Sequence, residues 1–350
     1  MTALHQVIWV LAMLALTFTL RATGGSIGCK DLDGNNVDWF YVYKIPKIKE
    51  SKLPLIQKGV AFYYLDVNQQ TFQLSNLAMS DQDNPVARTL NQTYNQQDEL
   101  ASVMYNDEWP DGRKTEARGH TKGVVAFNSN TGFWLIHSVP KFPSNSSYSW
   151  PSNALDNGQS MLCVTFSSSS MEDIAKQMMY TYPYVYSKNL PSDLLALAPT
   201  FAEVTKGHHV KGPLWTNKVT LSSKQGQLFV HYAKFTKFYD DLYVEFVAPD
   251  MKSNLETETW RNGRNPLESN CSSSFDVKNI QEISFPEVDF PSTKDHSKIA
   301  IADDSLQMIC VGDINRALGQ YVRGGGTLCS KLPSVWKQYT NIIAKVEPCP

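Results

Sequence analysis

His120 stands two residues before Lys122, and His296 two before Lys298, a spacing with a chemical use. Side chains alternate faces along an extended strand, so residues two apart point the same way and set an imidazole beside an ammonium. Such a pair suits a phosphate: the lysine balances anionic oxygens while the histidine attacks phosphorus or moves a proton. Two pairs facing one phosphodiester would supply a nucleophile and a general acid with no metal required. The seven histidines would give about half a His-x-Lys by chance, the ordinary risk of a short motif. The competing reading is two exposed strand ends with solvated lysines.

For the pairs to form, the segments around them must be strands. Residues 123–127 and 132–137, separated by a polar Asn-Ser-Asn-Thr turn, predict a hairpin that opens at the first motif. Residues 298–301 predict a strand at the second. Runs rich in β-branched and aromatic residues at 37–44, 59–65, 100–105, 161–166, 227–235, 241–246 and 277–285 predict further strands. A helix is expected from Ser170 as N-cap to about residue 180, with Glu172 and Asp173 in its first turn. Others are expected near 192–197 and 334–346. This alternation indicates an α/β protein with mixed sheets. No solenoid period is present. The internal echo is chemical: one His-x-Lys lies on each side of a boundary near residue 200.

The composition, 42% hydrophobic and 19% charged, is that of a folded protein and excludes disordered and fibrous classes. A formal net charge of −2 argues against a general nucleic-acid coat, which would be basic. At about pH 5 the seven histidines would gain charge and favour a polyanion. The apolar run at 7–20, followed by small residues, reads as a cleaved secretory signal over residues 1–25, with a signal anchor as the alternative. No other apolar stretch approaches membrane-spanning length, so no membrane attachment is expected after the signal is removed. Six cysteines (Cys29, Cys163, Cys271, Cys310, Cys329 and Cys349) follow it without a Cys-x-x-Cys. Three disulfides are therefore expected rather than a zinc site, and spacing alone leaves the pairing open. Sequons at Asn91, Asn145 and Asn270 fit the same glycosylating route.

The runs VDWFYVYKIP at 37–46, GHTKGV at 119–124, GFWLIHSVP at 132–140, KGHHV at 206–210, DHSK at 295–298 and VGDINR at 311–316 resemble deoxyribonuclease II. The likeness covers the mature chain, from Cys29 to Cys349. That family resembles phospholipase D in architecture. The resemblance therefore implies a pseudo-dimer of two mixed-sheet lobes flanked by helices, 26–200 and 201–350, each giving one His-x-Lys to a shared site. It implies a metal-independent acid endonuclease that uses no cofactor and takes DNA as substrate. One histidine forms a phosphohistidine, the other protonates the leaving 5′-oxygen, and water releases a 3′-phosphate end. His120 is assigned as nucleophile and His296 as acid, with the reverse order open. Lys122 and Lys298 would hold the non-bridging oxygens. Asn315 would be a polar anchor, with His137 in the equivalent place of the first half. Phe127 stands where the phospholipase pattern has an Asp, and Asp303 falls at that offset in the second motif. Which carboxylate orients each histidine is thus open, with Asp295 and Asp313 as candidates. The implied disulfides are Cys29–Cys163, Cys271–Cys349 and Cys310–Cys329. A monomer or homodimer, lysosomal or secreted (including as a toxin), fits this reading.

Other features carry less. His208 and His209 are adjacent, so at most one would face a site, and His231 lies in an apolar strand as a core residue. Arg323-Gly-Gly-Gly326 is a phosphate nest or a plain glycine turn, and Asp31-Leu-Asp-Gly34 is a turn. Trp134, Tyr148, Trp150, Tyr180 and Tyr182 could stack on bases, although core packing accounts for most of them. Readings from other classes are a secreted binding protein without catalysis and a phosphodiesterase acting on lipid or RNA.

Overall fold

Aromatic and β-branched runs without breakers become strands, and these gather into two large sheets in a computed structural model that describes residues 25–95 and 99–350. The signal expected over 1–25 lies outside the described residues except for Gly25. The first sheet has eight strands in the order Val185–Asn189, Ala101–Asn106, Lys122–Phe127, Thr131–His137, Gln159–Ser167, Trp39–Lys44, Phe62–Asp66 and Gln73–Leu74. Its neighbours are all antiparallel. The second has nine: Thr216–Ser222, Leu228–Lys234, Gly325–Lys331, Met308–Gly312, Ile299–Ala302, Leu255–Glu258, Val277–Phe285 and Val288–Pro291, with Ile343–Val346 added beside Val277–Phe285. Its one parallel pair joins Leu255–Glu258 to Val277–Phe285.

The two sheets share a core. Trp39, Tyr41, Tyr43, Val125, Phe127 and Trp134 of the first lie in one buried cluster with Ile299, Ile301, Ile309, Val311 and Leu328 of the second. The intervening residues Phe40, Val42, Val124 and Ala126 pack on the other face with Val86, Ala87 and Leu90 of helix Pro85–Asn95. With both faces covered, these strands read as continuous rather than alternating apolar runs. Each fully buried Ile, Leu or Phe contributes about 1.5–3 kcal/mol. Helix Met171–Thr181 follows the first sheet yet packs on strands Thr216–Ser222 and Leu228–Lys234 of the second, where Gln177 meets His231 at 3.1 Å. The halves are interlocked.

All three disulfides implied by the family resemblance form: Cys29–Cys163, Cys271–Cys349 and Cys310–Cys329. Asn145 is exposed, and Asn91 and Asn270 are partly exposed. Among the described residues no helix is long and apolar enough to cross a membrane.

Three local expectations fail. Ser170 makes no capping bond, because a 3-10 turn over Ser168–Ser170 already leads into the helix. The run at 241–246 is not a strand. The Asp241 carboxylate accepts the Tyr243 N–H at 2.7 Å and the Val244 N–H at 3.4 Å, and this starts the π-type helical turn Tyr243–Val247. The last helix stops at Asn341, since the β-branched Ile342-Ile343 step supplies an edge strand for Val277–Phe285.

Candidate active site

The first His-x-Lys pair sits where strand Lys122–Phe127 begins. Its neighbour Ala101–Asn106 pairs Asn106 with Lys122, so the next residue, Asp107, falls beside the pair. The Asp107 carboxylate meets Lys122 Nζ at 2.5 Å and His120 Nδ1 at 3.1 Å. Arg323 Nη1, from the second half, reaches the same carboxylate at 3.0 Å. Burial alone would raise the Asp107 pKa, but His120, Lys122 and Arg323 hold it well below the usual range. His120 Nδ1 thus lies between a carboxylate that only accepts and, at 3.1 Å, an Arg323 Nη1 that only donates, while Nε2 lies 3.3 Å from Lys122 Nζ. Burial lowers the His120 pKa to about 3, so the resting ring is neutral.

The second pair sits just before strand Ile299–Ala302. His296 Nδ1 lies 3.0 Å from the Ser138 carbonyl, and Lys298 Nζ donates to the His296 carbonyl at 2.5 Å while lying 3.0 Å from Nδ1. Nδ1 is thus engaged by the Ser138 carbonyl and by Lys298 Nζ, which leaves Nε2 for a ligand. Burial, then Lys298, Lys122 and His120, hold the His296 pKa well below its ordinary value. Burial and Lys122 likewise hold the Lys298 ammonium well below its own. Charges of the first pair are thus felt at the second.

Contacts between the two halves of the sequence hold both pairs. Ser138 of the first half holds His296, and Ser160 Oγ accepts the Lys298 backbone N–H at 3.0 Å. In return Arg323 donates to the carbonyls of Gly119, Arg118 and Thr115, and the His120 N–H donates to the Gly324 carbonyl at 2.8 Å. Gly119 and Gly324 both press against the Thr181 carbonyl, where a Cβ would collide. The Arg323-Gly-Gly-Gly326 stretch is therefore neither a nest nor a turn but the entry to strand Gly325–Lys331.

The other expected residues are placed as follows. Asn315 Oδ1 accepts the Trp260 N–H at 3.3 Å, and the Trp260 ring centre is 5.0 Å from that of His296. Trp260, Arg264, Asn315, Gln320 and Arg323 line a cavity of about 460 Å³. His137 is fully buried; its Nδ1 accepts the Val139 N–H at 3.2 Å and its Nε2 has no partner. Its register puts it one step past the Gly123–Ile136 pair, beside Lys122, whereas one step past the Ile299–Val311 pair lies Gly312. His137 and Asn315 therefore do not occupy matching places. Neither candidate orienting carboxylate touches a histidine: Asp295 is taken by Tyr43 and by the Ser297 N–H, and Asp313 by the Gly326 N–H. Phe127 is core, and Asp303 lies past the far end of the strand that follows Lys298.

The remaining histidines among the described residues stay apart from the pairs. His208 pairs with Glu203 on the surface, His209 stacks on Phe235, and His231 is buried against Trp134. Burial lowers His120, His137 and His231 to about 3, so the expected charging of all seven at about pH 5 does not hold. Trp134 and Tyr148 are core, as packing suggested. Sequence reading missed Asp107, Ser138, Ser160 and Trp260. Only Asp107 left a signal, a carboxylate just past the end of a strand expected near the first motif.

A buried His120 and a partly buried His296, each with a lysine alongside, can together handle a phosphodiester. A sequence model of the family described as Deoxyribonuclease II matches residues 28–349. The chain is 42% identical to Plancitoxin-1 of Acanthaster planci, covering 97% of both chains. It is 39% identical to Deoxyribonuclease-2-alpha of Rattus norvegicus, covering 96% of this chain and 98% of the relative. With Deoxyribonuclease-2 of Caenorhabditis elegans the identity is 37%, again over 96% and 98%. On the family match, the length of these alignments and the two half-sites, the chain belongs to the deoxyribonuclease II family.

Proposed function

We propose that the chain is a metal-independent acid endonuclease that hydrolyses DNA phosphodiesters to 3′-phosphate ends, using the lobes 26–200 and 201–350 together. The observation that carries this reading is the joining of the two His-x-Lys pairs through Ser138 on His296 and Arg323 on His120.

His120 is the nucleophile. Its Nε2 lone pair attacks phosphorus, and the positive charge that develops on the ring is stabilised by Asp107 at Nδ1. The bond from phosphorus to the 5′-oxygen breaks, and His296 gives that oxygen its Nε2 proton. Water, deprotonated by the now neutral His296, then cleaves the N–P bond and leaves phosphate on the 3′-oxygen. Lys122 and Lys298 bind the non-bridging oxygens. Asn315 positions Trp260 beside His296, and His137 lies in register beside Lys122.

The acid requirement follows from His296. Burial, then Lys298 and Lys122, oppose its protonation, so the acid form is populated only in acidic solution or once a phosphodiester anion offsets those charges. Such an enzyme fits an acidic lysosomal compartment, and its likeness to a protein named as a toxin also fits export. Plasmid nicking at about pH 5 in EDTA tests the reading with the native chain and His296→Ala. Nicking by the native chain alone is expected. A magnesium requirement, or activity that survives the substitution, overturns it.

A further inference from the structure

Each motif lysine has its backbone N–H held by a side chain from the opposite half, and the two holders differ in kind. Lys298 is held by the Ser160 hydroxyl. Lys122 is held by the carboxyl of Asp313, which also accepts the Gly326 N–H at 3.1 Å. Asp313 is buried at the end of strand Met308–Gly312, on the seam between the sheets. A hydroxyl suffices for Lys298, and it cannot titrate. The groups facing Asp313 are Lys122 and Asp107 with the hydroxyls of Tyr105 and Tyr243. Lys122 and Arg323 already converge on Asp107, so a second negative charge here is only partly offset by Lys122.

On the reading that His120 and Lys122 act on the phosphodiester, we propose that Asp313 is a positioning residue that ties the first half-site to pH. As an uncharged acid it holds the Lys122 backbone and leaves the ammonium available to the substrate. As a carboxylate it sets a negative charge behind Lys122 and opposes binding of the anionic phosphodiester. Burial, only partly offset by the Gly326 N–H and Lys122, pushes the Asp313 carboxyl up to about 7. The acid form therefore holds at about pH 5 and is lost as the solution approaches neutrality.

The test compares the full chain with Asp313→Asn, whose amide keeps a carbonyl acceptor but cannot ionise. The readout is kcat/KM on a fluorescein-labelled DNA duplex in EDTA at about pH 5 and about pH 7.5. The ratio of the two values is expected to be up to about fourfold smaller in the variant, because a carboxyl that titrates at about 7 is still about one-quarter protonated at about pH 7.5, with the change carried by KM. Asp313→Ala, which removes the acceptor, is expected to lose kcat at both pH values. A ratio unchanged from native in Asp313→Asn overturns the proposal. Failure of Asp313→Asn to fold also overturns it, because a neutral side chain of this shape is the state required at acid pH. If His120→Ala remains active, the underlying catalytic reading falls instead.

Discussion

The Asp107 carboxylate lies 3.1 Å from Nδ1 of His120. His296, the counterpart of His120 in the second half, has a backbone carbonyl in that place. The carboxylate stabilises a ring that becomes positive during attack, while the carbonyl leaves a ring that loses its proton readily. This asymmetry favours His120 as nucleophile and His296 as acid.

Asp107→Asn keeps the size of the side chain but allows its amide to donate to the ring, which favours the wrong tautomer. The rate is expected to fall about a thousandfold. The variant also leaves Lys122 and Arg323 buried without their carboxylate, a loss of about 3 kcal/mol or more. Single-turnover rates alongside urea unfolding separate the two effects. A variant with near-native kcat would remove Asp107 from the chemistry.

Lys298→Met removes the charge that most opposes protonation of His296. The His296 pKa then rises, so the alkaline limb of the pH profile moves to higher pH even as the maximal rate falls. A limb that stays in place or moves to lower pH contradicts the assignment of His296 as acid.

Stability has its own pH dependence. His231 is buried uncharged, with a folded-state pKa of about 3 against an ordinary 6.5. The unfolded chain takes up the proton first, so stability present above pH 6.5 is lost as pH falls from there toward 3. At about pH 5 this amounts to about 2 kcal/mol. His231→Gln should therefore recover stability relative to the native chain at acid pH and not at neutral pH, as read by Tm at each. Asp313 acts in the opposite direction: its raised pKa makes stability fall as pH rises from 3.8 toward 7. An Asp313→Asn chain should gain stability at neutral pH.

The His-x-Lys pairs and their strands were legible because they depend on local alternation, and the hairpin after Lys122 follows from Asn128, whose side chain accepts the N–H groups of Asn130 and Thr131. Asp241 was misread because its capping role outweighed an alternating run. The orienting groups were not legible for a different reason. Arg323 reaches Asp107 across 216 residues, and Ser138 reaches His296 across 158. Local pattern holds no trace of such pairings, so Asp295 and Asp313, which lie in the runs at 295–298 and 311–316, drew attention that belonged to Asp107.

The central claim is that two half-sites form one catalytic unit. Single-turnover nicking of supercoiled plasmid at about pH 5 in EDTA by the native chain, His120→Ala, His296→Ala and the double variant tests it most directly. If the pairs act together, each single substitution abolishes the reaction as fully as the double. Substantial activity in either single variant, or losses that multiply in the double, would contradict it.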